Sequence, residues 1–144
     1  NAANRGYHTM EKYKNLNCVI VNETELRHEL RDKNSKINSL MIKLSGRIGI
    51  EDLIVTMGSQ GATLFNKNSK KFYDMEAFAT KIVDKIGSGD TMLSLIAILL
   101  KLRFDKTYSL LVSSLAASQS VGSMGNKNLI NKIKLVKAID HTLK

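Results

Sequence analysis

Three short β-prone runs, Asn17–Val21, Leu53–Met57 and Phe78–Val83, each deliver the chain to polar or glycine residues. The first leads into Asn22, the second into Gly58-Ser59-Gln60-Gly61, and the third into Asp84 and on to Gly87-Ser88-Gly89-Asp90. Asn17–Val21 is apolar on both faces, as a buried parallel strand requires. In an open α/β sheet, ligands bind beyond the carboxyl ends of the strands. Three such segments can therefore converge on one rim, and the alternation restricts the chain to α/β layering.

The rest of the pattern agrees. Glu23–Arg31 reads as a helix with Leu26 and Leu30 four apart, and Asp32–Lys36 is a polar break. Ile37, Leu40, Met41, Leu44 and Ile48 recur at helical spacing, which predicts an amphipathic helix over 37–48 ending near Gly49. Ala62–Asn66 and Lys71–Met75 flank the polar tip Lys67-Asn68-Ser69-Lys70 and predict a β-hairpin. Gly89–Phe104 reads as a helix, apolar nearly all round and hence central and buried. Lys106–Met124 is a second, rich in Ser and Ala, and Asn128–Leu143 a third with Ile130, Ile133, Val136 and Ile139 on one stripe. No internal repeat or linker interrupts the chain, so 1–144 is expected to form one domain.

Composition excludes more than it identifies. With 43% hydrophobic and 24% charged residues, the 144-residue chain has an ordinary globular balance. Its net charge of +9 comes from 22 Lys and Arg against 13 Asp and Glu. The lysines are scattered, and no aromatic residues alternate with them as a stacking platform needs, so nucleic acid is not an expected partner. Cys18, the single cysteine, lies in an apolar run and cannot form an intrachain disulfide; a small buried residue is the expected role. His8, His28 and His141 show no metal-ligand spacing. Met92–Leu100 is too short to span a bilayer and is closed by Lys101 and Arg103. The default expectation is a soluble cytoplasmic protein that does not enter a membrane. The opening Asn1-Ala2-Ala3-Asn4-Arg5-Gly6-Tyr7 reads as though it begins inside a longer protein.

The chemistry concentrates at Gly87–Asp90. Glycines let backbone pass close to a ligand, and the unpaired N–H groups of a first helical turn face an anion. An acid there can accept a proton from an attacking hydroxyl while those N–H groups hold a phosphoryl group. Taken alone, Gly-x-Gly-Asp is equally a glycine turn with a helix-capping acid.

Together, Asn22…Glu25, Thr56-Met57-Gly58-Ser59-Gln60-Gly61 and Asp84…Gly87-Ser88-Gly89-Asp90 resemble, in this order, the ribokinase-type (PfkB) carbohydrate kinases. That family carries an N-x-x-E segment, a strand ending in T-x-G-x-x-G and a late D-x-x-G-x-G-D signature. The resemblance covers the C-terminal half of such a kinase, and Asn1–Arg5 is similar to the heptose-kinase-like branch, which is often linked to nucleotidyltransferases. It implies a three-layer α/β/α sandwich with a mostly parallel sheet, and phosphoryl transfer from Mg·ATP to a sugar or sugar-phosphate hydroxyl. It further implies that Asp90 is the catalytic base and that Gly87, Ser88 and Gly89 hold the transferred group; Ser88 stands where the family often has Ala. Thr56, Gly58 and Gly61 would contact nucleotide, and Asn22 and Glu25 would organise phosphate and Mg²⁺ through water. Ser113, Ser114 and Ala117 fall where relatives wall the adenine, of which Ser114 is the cofactor-binding candidate. Asp84, with carbonyls around Val121–Gly125, would help hold a monovalent cation such as K⁺. The missing partner would be the N-terminal half, which carries most sugar contacts, so the isolated chain is expected to be inactive. Bland readings stay open: Asn22 and Glu25 suit a helix start, and Gly58–Gly61 suits a strand-to-hairpin turn. A non-catalytic nucleotide- or sugar-binding regulatory module of the same fold is the rival function.

Overall fold

The structure, a computed structural model, describes residues 10–78, 87–121 and 130–144. By its contacts the chain divides into two compact units, Asn1–Met57 with Thr63–Phe72, and Gly58–Ala62 with Tyr73–Lys144.

The first unit is built on a sheet. Strands β1 (Cys18–Asn22), β2 (Asp52–Thr56), β3 (Ala62–Asn66) and β4 (Lys71–Met75) lie in the order β1-β2-β3-β4, the last residues of the hairpin belonging to the second unit. β1 and β2 run parallel, pairing Cys18 with Asp52 through to Asn22 with Thr56. Between them come α1 (Glu23–Leu30) and α2 (Ile37–Ile48), the crossover that parallel neighbours require. The hairpin returns antiparallel. Asn66 Nδ2 donates to Asp52 Oδ1 at 2.7 Å and the Lys67 N–H to Glu51 O at 2.8 Å, setting the end of β3 beside the start of β2. β2 is buried along Asp52–Val55 and β3 throughout, as inner strands should be.

Local chemistry sets the boundaries. α1 ends where Arg31 turns left-handed (φ 52°), and α2 where Gly49 does (φ 75°). Ser45 closes that end by donating its buried hydroxyl to Ile50 O at 2.6 Å. Arg27 then ties the α1–α2 connection down, donating to the Lys33 and Ser35 carbonyls at 3.1 and 3.0 Å. Leu26, Leu40, Met41, Leu44, Ile48 and Leu53 form the centre of the core. Cys18 is half-buried rather than buried, because it shares with Ile20 the half-covered face of β1, opposite the buried Val19 and Val21.

Among the described residues the second unit holds three α-helices, α3 (Ser88–Lys101), α4 (Lys106–Ser120) and α5 (Lys132–Thr142). α3 packs mainly on α4, which buries Leu110, Leu111, Val112, Leu115 and Ala116 among small Ser109 and Ser113. Asp105 caps α4 by accepting the Tyr108 N–H at 3.0 Å, and Asn131 caps α5 by accepting that of Lys134.

One expectation about packing fails. α3 is not buried all round: Met92 and Ile96 are its buried positions, while Leu93 and Ile98 are exposed. A helix apolar on every face is covered only where neighbours exist, and here α4 is its principal one. Of the stripe of Ile130, Ile133, Val136 and Ile139, Ile130 just before α5 and Ile133 and Val136 within it are exposed, while Ile139 is half-buried with Leu135 and Ala138. The strand expected over Phe78–Val83 lies outside the described residues beyond Phe78, which is irregular, as does the end of the helix expected to reach Met124. No helix among the described residues is long and apolar enough to cross a membrane.

Candidate active site

In the first unit the rim is made by two adjacent strand ends. Asn22 closes β1 and Thr56 closes β2, and the parallel register sets them side by side. Asn22 is also the N-cap of α1. Its Oδ1 accepts the Glu25 N–H at 2.8 Å, and Glu25 Oε2 accepts the Asn22 N–H at 2.9 Å. This reciprocal capping box satisfies two donors that a helix start would otherwise leave open. It also holds the Glu25 carboxylate at the end of β1, with Oε2 in the box. The N-x-x-E spacing therefore has a structural role whatever it binds.

In the second unit, the segment after β2 is a tight 3-10 turn over Gly58–Gln60, closed by Gly61 N–H donating to Gly58 O at 3.1 Å. Its two glycines are required for different reasons. Gly58 (φ 61°) has open space where a side chain would go. Gly61 (φ 91°) has none: a Cβ there would stand 1.9 Å from Met75 O, against the backbone leaving β4.

The Gly87–Asp90 segment starts α3. Gly87, which has no side chain of its own to cap with, is the N-cap, held left-handed at φ 82°. The first intrahelical bond runs from the Thr91 N–H to Gly87 O at 3.0 Å. Earlier amides of the turn thus point away from the helix, the arrangement that favours an anion. Gly89 is exposed, with nothing within 4 Å of where a Cβ would stand. Asp90, also exposed, lies in the same first turn. Ser94 Oγ donates to Asp90 O at 2.8 Å and ties the turn from below. That contact escaped the sequence reading, although a serine inside a helix can bond the carbonyl four residues back whatever residue stands there.

Ser114, on α4, has a buried hydroxyl oxygen with no hydrogen-bond partner among the described residues. The hydroxyls of Ser109, Ser113, Ser118 and Ser120 all donate to carbonyls of their own helix. Asp84, and the residues after Val121 whose carbonyls are expected to help hold a monovalent cation, lie outside the described residues. Among the described residues no group of three or more His, Cys, Asp or Glu gathers as a metal site. The structure thus brings Asn22 beside Thr56, Gly58 beside Gly61, and Gly87, Ser88 and Gly89 into one turn with Asp90.

The sequence pattern of the pfkB family carbohydrate kinases matches residues 4–133. The chain belongs to the pfkB carbohydrate kinase family. Among relatives, the "Bifunctional protein HldE" of Campylobacter curvus is 28% identical over 118 residues, 80% of this chain and 25% of that protein. The chain spans about a quarter of the length of the curated relatives it matches. In three dimensions it resembles Escherichia coli phosphofructokinase-2, with a TM-score of 0.77 at 15% identity over 91% of this chain and 42% of that one. Arabidopsis thaliana ribokinase, solved with ribose and ATP, matches with a TM-score of 0.74 at 22% identity, over 85% of this chain and 40% of its own. These neighbours establish a ribokinase-like α/β fold, here with a mixed sheet of four strands.

Proposed function

We propose that this chain is the nucleotide-binding and catalytic-base part of an ATP-dependent carbohydrate kinase. The observation that carries the reading is the start of α3. A left-handed glycine, which brings no capping side chain of its own, opens the helix, with an exposed carboxylate in the same turn. In this reading the amides after Gly87 hold the γ-phosphoryl group, and the helix dipole supports the charge spread over its oxygens. Asp90 accepts the proton of the sugar hydroxyl as that oxygen bonds to phosphorus, and the bond to the departing ADP oxygen breaks. Thr56, Gly58 and Gly61 support the nucleotide, and the unpartnered Ser114 hydroxyl offers it a hydrogen bond.

Mg²⁺ is held in such reactions largely by phosphate oxygens and water, where it neutralises charge. The Glu25 carboxylate, held by Oε2 in the capping box, fits that limited role through water, with Asn22 beside it. K⁺ remains part of the proposal through Asp84. The other half of the kinase would orient the acceptor, and positioning supplies much of the rate in phosphoryl transfer. The isolated chain should therefore not phosphorylate hexoses, pentoses or heptose phosphates. A regulatory module that binds without turnover is the alternative, and the complete accounting of Asn22 and Glu25 by a helix cap favours keeping it.

Titration of the chain with ATP, read at individual amides by NMR, tests the reading. Expected is weak, Mg²⁺-sensitive, saturable binding that shifts Gly58 and Gly89. Saturable binding that leaves both amides untouched contradicts it.

A further inference from the structure

Far along the chain from the glycine turn, α3 ends in an apolar patch that nothing among the described residues covers. Ile98 is 57% exposed, Leu102 64% and Phe104 47%. Ile98 and Leu102 are four apart and share one helix face. The segment is pinned rather than loose: the Arg103 N–H donates to Leu100 O and that of Phe104 to Leu99 O, both at 3.0 Å. The Phe104 ring stacks on Tyr108 of α4, with centroids 5.9 Å apart. A rigid, exposed aliphatic and aromatic surface has already lost the entropy that binding would otherwise cost.

Charge selects the occupant. Lys101 and Arg103 flank the patch, both exposed and neither in an ion pair among the described residues. The nearby acid, Asp105, already accepts the Tyr108 N–H as the cap of α4. Aromatic side chains and Arg are the types enriched at protein interfaces. Ile98 and Leu102 offer no ring on which a base could stack. One helical turn is short for seating in a lipid surface, which favours a long amphipathic face. A second copy would bring its own +9 against the same cations. We propose that the patch of Ile98, Leu102 and Phe104 docks an acidic protein segment, whose apolar side chains cover these three while its carboxylates meet Lys101 and Arg103. This surface is separate from the residues of the proposed kinase chemistry and does not depend on them.

The test uses the whole chain and a labelled amphipathic peptide of Glu and Leu. Controls are the same pattern with Lys for Glu, phosphatidylglycerol vesicles, and sedimentation of the chain alone. Saturable binding of the Glu peptide is expected, weakening with salt, with amide shifts centred on Leu102–Phe104. Phe104→Ser should weaken it about tenfold, as interface anchors do. Lys101→Glu, which leaves the packing alone, should weaken the Glu peptide and strengthen the Lys one. No binding, equal binding of both peptides, or shifts centred elsewhere would overturn the proposal. So would vesicle binding or self-association that the same two substitutions abolish.

Discussion

The two units solve opposite problems. In the first, a closed core hides Leu26, Leu40, Met41, Leu44 and Leu53, each at most 1% exposed, though Tyr13 and Ile42 stay outside it, and Asn22 and Glu25 cap one helix reciprocally. In the second, Ile98 on α3, Leu102 at its end and Ile133 on α5 are exposed, and α3 opens on a glycine N-cap. The first unit spends its sequence on stability. The second keeps open the groups that a ligand or partner would use. A family signature is thus divided between a part that folding explains and a part that folding leaves unexplained, and the second part carries the functional argument.

The contrast is broken most forcefully in the core. Leu44→Ala removes a fully buried side chain from the first unit and should cost about 2–5 kcal/mol. Ile133→Ala on α5, 68% exposed, should stay within about 0.5 kcal/mol. Denaturant unfolding of both variants measures the gap; equal losses would erase the distinction between the units.

Glycines give the next effect. Gly61→Ala drives a methyl into the Met75 carbonyl at a positive φ, with a cost of about 1–3 kcal/mol or more. Gly89→Ala meets open space inside the first turn of α3 and should stabilise by about 0.5–1 kcal/mol. Yet its methyl would stand where a phosphate approaches, so ATP binding should weaken as the melting temperature rises. A Gly89→Ala chain that gains stability and keeps its ATP affinity would remove Gly89 from the phosphate site.

The capping box separates its two roles. Asn22→Ala should cost about 1 kcal/mol of stability. Glu25→Gln keeps an acceptor for the Asn22 N–H and should change stability little, while reducing the Mg²⁺ dependence of ATP binding. Thermal melts with and without Mg·ATP read both effects.

The smallest effect is electrostatic. The carboxyl of Asp32 is held below its ordinary 3.8, first by the Ser35 N–H, then by the Ser35 hydroxyl and the Asn34 N–H, with Lys43 assisting. A depressed folded-state value means that the contribution is complete above 3.8 and fades as pH falls through the lower folded value. The stability gap between wild type and Asp32→Ala should therefore narrow on acidification below 3.8. A gap that widens there contradicts the assignment.

What the sequence made legible was local. α2 and both hairpin strands fall within the expected bounds because helical periodicity, Gly49 and the tip Lys67–Lys70 signal their own ends. β1 and β2 start and stop one residue away from expectation, since an apolar run does not mark which peptide makes the last ladder bond. The exposure of α3 and α5 was not legible, because periodicity states which face is apolar and not what covers it. At the site, the order of the three motifs was readable. The steric demand at Gly61, set by the distant Met75 carbonyl, was not.

The central claim is that Asp90 is a base rather than only a complement to the helix dipole. Asp90→Asn, made in a kinase-length protein containing this chain, keeps the size of the side chain and its capacity to accept a hydrogen bond. It removes the proton acceptor. Folding and nucleotide affinity should change little, while kcat for the sugar acceptor should fall by about 10²–10⁴-fold. An Asp90→Asn variant with the wild-type kcat would contradict the account and leave the acid as one that only complements the positive end of α3.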